Sequence, residues 1–309
     1  MYKYYFVLLI LCCSNVGAET LLELYQQAER HDPQLKIAHS ELLAVLENKP
    51  QAQAQLLPRL SLGAEIAETL RNQHWLSGDA TEDTTGGYDI SLSYPLYHQP
   101  RSIRLAQTDS EIQQAQVEYE YARQTLMERL ATGYFNVLAA HDSLEFAKAA
   151  QDAFQRQLEE AQQRFEVGLI AITDVQEAQA GYDLSVAEKI QAQNQLDNAY
   201  EALREITGSY HKVLAGLSED APLLGPQAEE IDQWTQVALS QNPQLLAAQH
   251  AVDAARQEVD RQRAADLPTV DLIGQHRFND RIRGEDIPLS TTATINSIGV
   301  QLSYSLYEG

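Results

Sequence analysis

The sequence is poor in cysteine, in basic residues and in long apolar segments. Its two cysteines, Cys12 and Cys13, lie near the N-terminus, so the rest of the chain can form no disulfide. Lys and Arg number 22 against 44 Asp and Glu, a net charge of −22, which makes nucleic acid an unfavourable partner. No later stretch approaches the roughly 18 apolar residues of a membrane-spanning helix. If the chain crosses a membrane, it must do so as a β-barrel.

Recognisable catalytic motifs are also lacking. The eight histidines are scattered without the spacing of metal ligands, and neither a glycine-rich phosphate loop nor a Gly-x-Ser-x-Gly sequence is present. We therefore predict that the protein is not an enzyme and has no cofactor, no metal site and no catalytic residues.

The first residues have the features of a secretory signal. Lys3 precedes an apolar run from Phe6 to Cys13, and small residues at 16–18 offer a cleavage point. We expect residues 1–18 to be removed and Glu19 to begin the exported chain.

The chain contains an internal repeat with a constant offset. Asp32-Pro33-Gln34-Leu35 corresponds to Asn242-Pro243-Gln244-Leu245, and Leu92-Ser93-Tyr94 corresponds to Leu302-Ser303-Tyr304, each 210 positions later. The pair Leu57-Pro58 recurs at the same distance as Leu267-Pro268. Three matches without a gap indicate a duplication. Chance likeness of two alanine-rich helices would not also align the prolines.

Each copy begins with a helix and continues with two strands. The first helix is expected from about Pro33 to Gln55, with a kink at Pro50. The strands that follow alternate apolar and polar residues, with polar loops expected at 71–87 and 279–297. Such strands are typical of outer-membrane barrels, although an ordinary half-buried sheet has the same pattern. Four strands cannot close a barrel alone, so several chains must contribute.

Between the two strand pairs, the sequence predicts a long helical hairpin. Leu105, Ile112, Tyr119 and Leu126 recur every seven residues, and no proline lies between Pro100 and Pro222. A helix over residues 101–167 would be roughly 100 Å long. Gly168 is its expected end, and Thr173, with Gln176 three positions later, is expected to start the returning helix. Asp174 is expected to cap that helix.

The run from Arg164 to Val175, RFEVGLIAITDV, resembles the helix-tip signature of the TolC family of outer-membrane factors. Tyr134-Phe135-Asn136-Val137-Leu138 and the Leu-Pro pairs before the first and third strands are similar to the same family. The resemblance implies an α+β membrane protein in which long antiparallel coiled-coil hairpins form a periplasmic tunnel. Three identical chains would each give four strands to a twelve-strand transmembrane barrel in the outer membrane.

The resemblance also implies a passive duct for efflux of small molecules or type I protein secretion. A periplasmic adaptor would couple it to an inner-membrane pump or ABC transporter, and Gly168, Thr173 and Asp174 would lie at a periplasmic gate. Asp174 would hold the tip closed through bonds to a second hairpin, a role that capping does not exclude.

On this basis the chain divides into a series of segments. These are the signal peptide (1–18), N-terminal helices (19–58), a first transmembrane strand pair with an extracellular loop (59–98), the periplasmic hairpin (101–207), an irregular equatorial linker (208–232), the helix of the second repeat (233–267) and a second strand pair (268–309). Because a second hairpin should follow Gly309, we expect the sequence to be a fragment or truncation. The alternatives are a periplasmic adaptor or a coiled-coil scaffold, but neither should contain duplicated amphipathic strands.

Overall fold

A computed structural model describes residues 18–72, 80–211, 213–217, 225, 230–283 and 289–307. The expected signal peptide therefore lies almost wholly outside the described residues. In chain order the elements are α1 (Leu21–His31), α2 (Pro33–Leu46), α3 (Asn48–Ala54), β1 (Arg59–Asn72), β2 (Ala80–Tyr97), α4 (Gln99–Glu166), α5 (Ile172–Thr207), α6 (Ile231–Gln241), α7 (Pro243–Ala264), β3 (Thr269–Arg283) and β4 (Leu289–Ser303). The long helices and the antiparallel strands confirm the predicted α+β combination of a helical hairpin with strand pairs.

The chain forms two compact units. One combines the residues up to His39 with Tyr119–Trp234, and the other combines Ser40–Glu118 with the residues from Thr235 onward. The first contains most of the helical hairpin, and the second contains the sheet.

The duplication is visible in the helix starts. Asp32 lies before Pro33 of α2, and its Oδ1 accepts the backbone N–H of Leu35 at 2.7 Å. Asn242 lies before Pro243 of α7, 210 positions later, and its Oδ1 accepts from the N–H groups of Gln244 at 2.9 Å and Leu245 at 3.3 Å. Both are N-caps, which satisfy amide groups that a helix leaves unpaired at its start.

The two capping residues differ in charge. Asp32 is 1% exposed, and its Oδ1 also accepts from Nη2 of Arg129 at 2.9 Å. The ion pair joins the start of α2 to α4 within the first unit. Removing either partner would leave a charge without its counterion in a poorly solvated place, which is costly.

The helix predicted to run from Pro33 to Gln55 is interrupted close to the expected position. α2 ends at Leu46, and α3 begins at Asn48, two residues before Pro50. A proline ring clashes with the carbonyl of the fourth residue before it, which here is Leu46. The helix therefore breaks one turn ahead of the proline itself.

The hairpin of α4 and α5 buries residues at seven-residue intervals. Leu130, Val137 and Leu144 are buried on α4, and Ala178, Ser185 and Ala192 are buried on α5. This spacing is that of a coiled coil. Of the residues predicted for the seam of α4, Leu126 is buried, whereas Leu105, Ile112 and Tyr119 are only partly buried. Leu126 of α4 and Leu203 of α5, both 0% exposed, belong to a hydrophobic core cluster that also contains Leu24 and Ala28 of α1. Each fully buried leucine contributes about 1.5–3 kcal/mol through removal from water.

The helices of the second unit pack through alanines. Ala52, Ala115, Ala247, Ala254 and Ala264 are all buried. Polar contacts flank them, since Lys49 lies 2.6 Å from Asp109 and Ser110 donates to Gln257 at 3.1 Å. Small side chains such as these allow helices to approach closely.

The four strands form one antiparallel sheet in the order β1-β2-β3-β4. Leu60 pairs with Leu92, and Leu62 pairs with Ile90, so apolar residues lie opposite one another on one face. Ser61 pairs with Ser91 on the other face, where their hydroxyl oxygens are 2.7 Å apart. The pairing of β2 with β3 is irregular between Pro95 and Tyr97, at a residue that has no N–H to donate.

The predicted loops at 71–87 and 279–297 are wrong over most of their length. β2 already begins at Ala80, and β3 continues to Arg283, with residues 73–79 and 284–288 outside the description. The polar residues of these segments continue the hydrogen-bonded pairing of the strands, and Glu68 of β1, for example, pairs with Thr84 of β2. Apolar alternation therefore marks only part of each strand.

Candidate functional site: the hairpin tip

The first half of the tip is the end of α4. Gly168 has φ of 74°, in the left-handed region that favours glycine, which confirms its predicted role as the helix stop. The N–H of Gly168 donates to the carbonyl of Phe165 at 2.9 Å, and the N–H of Leu169 donates to that of Arg164 at 2.9 Å. These two bonds form the Schellman pattern, which satisfies carbonyl groups at the end of a helix.

The second half of the tip is the start of α5. The helix begins at Ile172 after Ala171, whose φ of −85° and ψ of 159° are extended. Oδ2 of Asp174 accepts the N–H of Ala171 at 3.1 Å, so Asp174 caps the helix from its third position. A carboxylate here also faces the positive end of the helix dipole.

Two details of the predicted start are wrong. Thr173 lies inside the first turn rather than before it, and its expected pairing with Gln176 is replaced by the bond between Asp174 and Ala171. Because Ala171 has no side-chain acceptor, only one half of a capping box is present. Thr173 and Asp174 are both exposed.

A hollow lies between the two helices beside the turn. Its charged lining consists of Glu160 and Arg164 from α4 with Asp174 and Glu177 from α5. Arg164 pairs with Glu160 across one helical turn, with an N–O distance of 2.5 Å. Three carboxylates against one guanidinium give the hollow a negative balance. The ion pair between Glu160 and Arg164 was not predicted, although a four-residue spacing of opposite charges on a helix favours such a pair.

Farther along the hollow, two residues fit closely. Gly181 of α5 faces Phe154 of α4, and a Cβ at Gly181 would lie 3.3 Å from the ring. The glycine therefore makes room for the aromatic side chain near the tip.

The turn itself presents apolar side chains to its surroundings. Val167 is 71% exposed and Leu169 is 74% exposed, while Phe165 and Ile172 on either side are also exposed. Contiguous exposed apolar residues beside a charged rim are typical of surfaces that bind another protein. The tip therefore combines an acidic hollow with an apolar end.

The sheet is a second surface of functional interest. On its apolar face, Leu60, Leu62 and Ile66 of β1 are 71%, 73% and 86% exposed, and Ile298, Val300 and Leu302 of β4 are similarly uncovered. A sheet with such a face needs lipid or protein to cover it.

Neither a metal site nor a spanning helix is evident in the described part of the chain. No group of three or more His, Cys, Asp or Glu residues there is placed to hold a metal ion. Among the described helices, none is both long and apolar enough to cross a bilayer.

Comparison with protein families identifies the group to which this architecture belongs. Residues 24–209 and 234–309 match the model of the outer membrane efflux protein family. The chain belongs to this family. The prediction of a TolC-family protein that is not an enzyme is thereby confirmed, as is the outer-membrane location that the family name states.

Individual relatives in the outer membrane efflux protein family agree with this assignment. The chain is 35% identical to the outer membrane protein TolC of Vibrio cholerae over 96% of its own length and 67% of the relative. It is 34% identical to TolC of Escherichia coli over 94% and 60%, respectively. The alkaline protease secretion protein AprF of Pseudomonas aeruginosa is 29% identical over 97% and 64%. The chain thus spans about 60 to 67% of these relatives.

Solved structures support the same fold. The Campylobacter jejuni CmeC outer membrane channel matches with a TM-score of 0.70 at 17% identity, covering 93% of this chain and 61% of that one. VceC of Vibrio cholerae matches with a TM-score of 0.66 at 21% identity, covering 94% and 69%. Because the sequence identities are this low, the structural similarity shows the fold alone.

Proposed function

We propose that the protein is a subunit of a trimeric outer-membrane duct for efflux of small molecules or type I secretion of proteins. The observation that carries the proposal is the combination of a heptad-packed hairpin with a four-stranded sheet that has one exposed apolar face. Four strands are too few to enclose a pore, so three chains together would supply the twelve strands of a barrel. The relatives AprF and PrtF, named as protease secretion proteins, favour secretion as one of its tasks.

Two surfaces, the apolar face of the sheet and the hairpin tip, would contact the partners in this proposal. The apolar face of the sheet would contact outer-membrane lipid, and the hairpin would extend into the periplasm. The exposed Val167 and Leu169 would meet a periplasmic adaptor that connects the duct to an inner-membrane pump or ABC transporter. The duct would be passive, with the energy for export supplied by that transporter.

Gly168, Thr173 and Asp174 would belong to the periplasmic gate. Gly168 fixes the turn, and Asp174 uses one carboxylate oxygen to cap α5 while it remains exposed. An ionised carboxylate can accept several hydrogen bonds, so the capping bond leaves capacity for bonds to a neighbouring hairpin. Thr173, exposed beside it, would add a hydroxyl to the same contact.

Cross-linking and conductance together test the proposal. The complete protein, cross-linked in native membranes, is expected to give a three-chain species, and the purified trimer is expected to form channels in a planar bilayer. A soluble periplasmic monomer without conductance would contradict it and favour an adaptor or a coiled-coil scaffold.

A further inference from the structure

The apolar face of the sheet has an outer edge, on the side away from the helices. In β1, apolar residues on this face continue as far as Ile66, and Glu68 follows them. Among the described side chains, the last large apolar or aromatic residues on this face are Tyr88 in β2, Phe278 in β3 and Ile298 in β4. Polar side chains therefore replace apolar ones before the strands end.

This outer edge runs obliquely across the strands. By the register of the pairs, Ile66 shares a hydrogen-bonded row with Thr292, whereas Ile298 lies six residues closer to the helices than Thr292. Strands of an outer-membrane barrel are tilted by about 35–45°, so a plane parallel to the membrane crosses such rows obliquely. A slanted edge is therefore the pattern expected where a bilayer ends.

Three polar side chains form a group at this edge. His276 of β3 lies between Tyr88 of β2 and Asn296 of β4. Its Nδ1 is 2.5 Å from Oδ1 of Asn296, and its Nε2 is 3.4 Å from the hydroxyl oxygen of Tyr88. The Tyr88 ring also stacks on Phe278, with the ring centroids 5.5 Å apart. Because both ring nitrogens have side-chain partners, the imidazole can remain on an otherwise apolar face.

The distance from this group to the other end of the apolar face fits a bilayer. Near the helices, Tyr97 at the end of β2 and Tyr304 just after β4 have exposed rings. Tyr97 follows Tyr88 by nine positions. That separation is about 30 Å along the strand, or about 21–24 Å across a bilayer at the tilt of a barrel strand. The apolar band of an outer-membrane barrel is about 25 Å tall, with aromatic residues at both interfaces.

The hydrogen-bonded sheet continues beyond the edge. β2 has eight more residues before Tyr88, and its pairing with β1 extends to Ala80 and Asn72. The pairing of β3 with β4 extends to Arg283 and Leu289. The polar side chains described on this part of the same face are Glu68, Thr84, Asp280, Thr292 and Thr294. Acyl chains would not solvate such a surface, but water would.

We propose that Tyr88, His276 and Asn296 anchor the sheet in the head-group layer of the outer leaflet, with the polar head groups of outer-membrane lipid as their partner. The inference rests on the proposed function, in which the apolar face of the sheet contacts lipid. Tyr88 is 42% exposed and Asn296 is also exposed, so a phenol and an amide are available to hydrated head groups. The anchor sets the depth of the sheet, and the paired strands beyond it extend roughly 20 Å outside the membrane.

Spin-label accessibility along β4 tests the anchor. Single cysteines on the apolar face would carry a nitroxide in the complete trimer, in a background without other cysteines and in vesicles of outer-membrane lipid. Oxygen concentrates among acyl chains and a nickel chelate stays in water, so the ratio of their collision rates measures depth. We expect oxygen to prevail at positions 298, 300 and 302, nickel to prevail at 292 and 294, and the crossover to lie at Asn296. Labels at Ser297 and Gln301, on the opposite face, should favour nickel.

A double substitution tests the polar group itself. His276→Leu with Asn296→Leu extends the apolar face outward by one row, so the oxygen-to-nickel ratio at a label on Thr294 should rise at least threefold. Ser297→Leu is the matched control because it adds the same apolar group on the opposite face, and it should leave that ratio unchanged.

Two results would overturn the inference and leave the proposed function intact. One is an oxygen-to-nickel ratio at positions 292 and 294 as high as at 300, which would place the head groups farther out. The other is an unchanged ratio at Thr294 in the double variant. If that variant does not assemble, the scan of β4 decides without it. Nickel access at all six positions of the apolar face would instead contradict the lipid-facing sheet, and with it the proposed function.

Discussion

Asp174 allows capping and gating to be separated by two substitutions. Its Oδ2 accepts the N–H of Ala171 at 3.1 Å, and the loss of such a cap costs about 1 kcal/mol. A charge-assisted bond to a neighbouring hairpin would contribute about 1.5–3 kcal/mol more. Loss of that bond would shift a closed–open balance by roughly tenfold to a hundredfold. Asp174→Asn keeps an acceptor for the cap but removes the charge, whereas Asp174→Ala removes both.

Single-channel recording of the complete trimer distinguishes the two roles. If the charge closes the gate, both variants should raise the open probability at least tenfold, and Asp174→Ala should also lower the melting temperature. Asp183→Asn is the matched control because Asp183 lies on the same helix and accepts from Gln179 at 2.8 Å. Unchanged openings in both Asp174 variants, with a stability loss confined to Asp174→Ala, would refute the gating argument and leave a cap alone.

Three further predictions concern stability and conduction. Leu203→Ala, at a fully buried position, should lower the free energy of unfolding by about 2–5 kcal/mol in chemical denaturation, whereas the exposed Leu184→Ala should cost much less. Arg261 and Gln262 lower the pKa of Glu258 to about 2 through hydrogen bonds, so the stability that this group contributes should be lost as the pH falls from about 4.5 to 2. Glu258→Gln should reduce that acid sensitivity in thermal melts, and an equal sensitivity would count against the pairing. The open duct should favour cations because the chain carries a net charge of −22, and reversal potentials under a salt gradient would show this, with anion preference as the contrary result.

Much of the fold was predictable because its signals are local or periodic. Gly168 ends α4 as expected, since a left-handed position is easily recognised where a heptad pattern stops. The repeat was visible because Pro33 and Pro243 occupy the same position in the two copies. The helix stop needs only residues within a few turns of one another, and the repeat needs only a comparison of the sequence with itself.

The errors arose where a distant partner decides the structure. Thr84 lies in a strand because it pairs with Glu68, and the sequence around it has no alternation of apolar and polar residues that would predict a strand. The pairing of Asp32 with Arg129 connects residues 97 positions apart, so no local pattern could reveal it. The error at the tip is instead local, because Thr173 and Asp174 were both plausible capping residues, and the extended backbone of Ala171 determines that Asp174 caps α5.

The capping residues Asp32 and Asn242 make the two copies of the duplication different in charge, because the first is a carboxylate and the second a neutral amide. Both side chains cap a helix that starts with proline, so local folding cannot tell the copies apart. Only Asp32 has a carboxylate to offer Arg129. If α7 docked in the place of α2, the guanidinium would face a neutral amide, and α2 in the place of α7 would have its carboxylate at the exposed position of Asn242, so the buried ion pair with Arg129 would be lost. One oxygen-for-nitrogen exchange thus discourages two similar segments from exchanging places during folding.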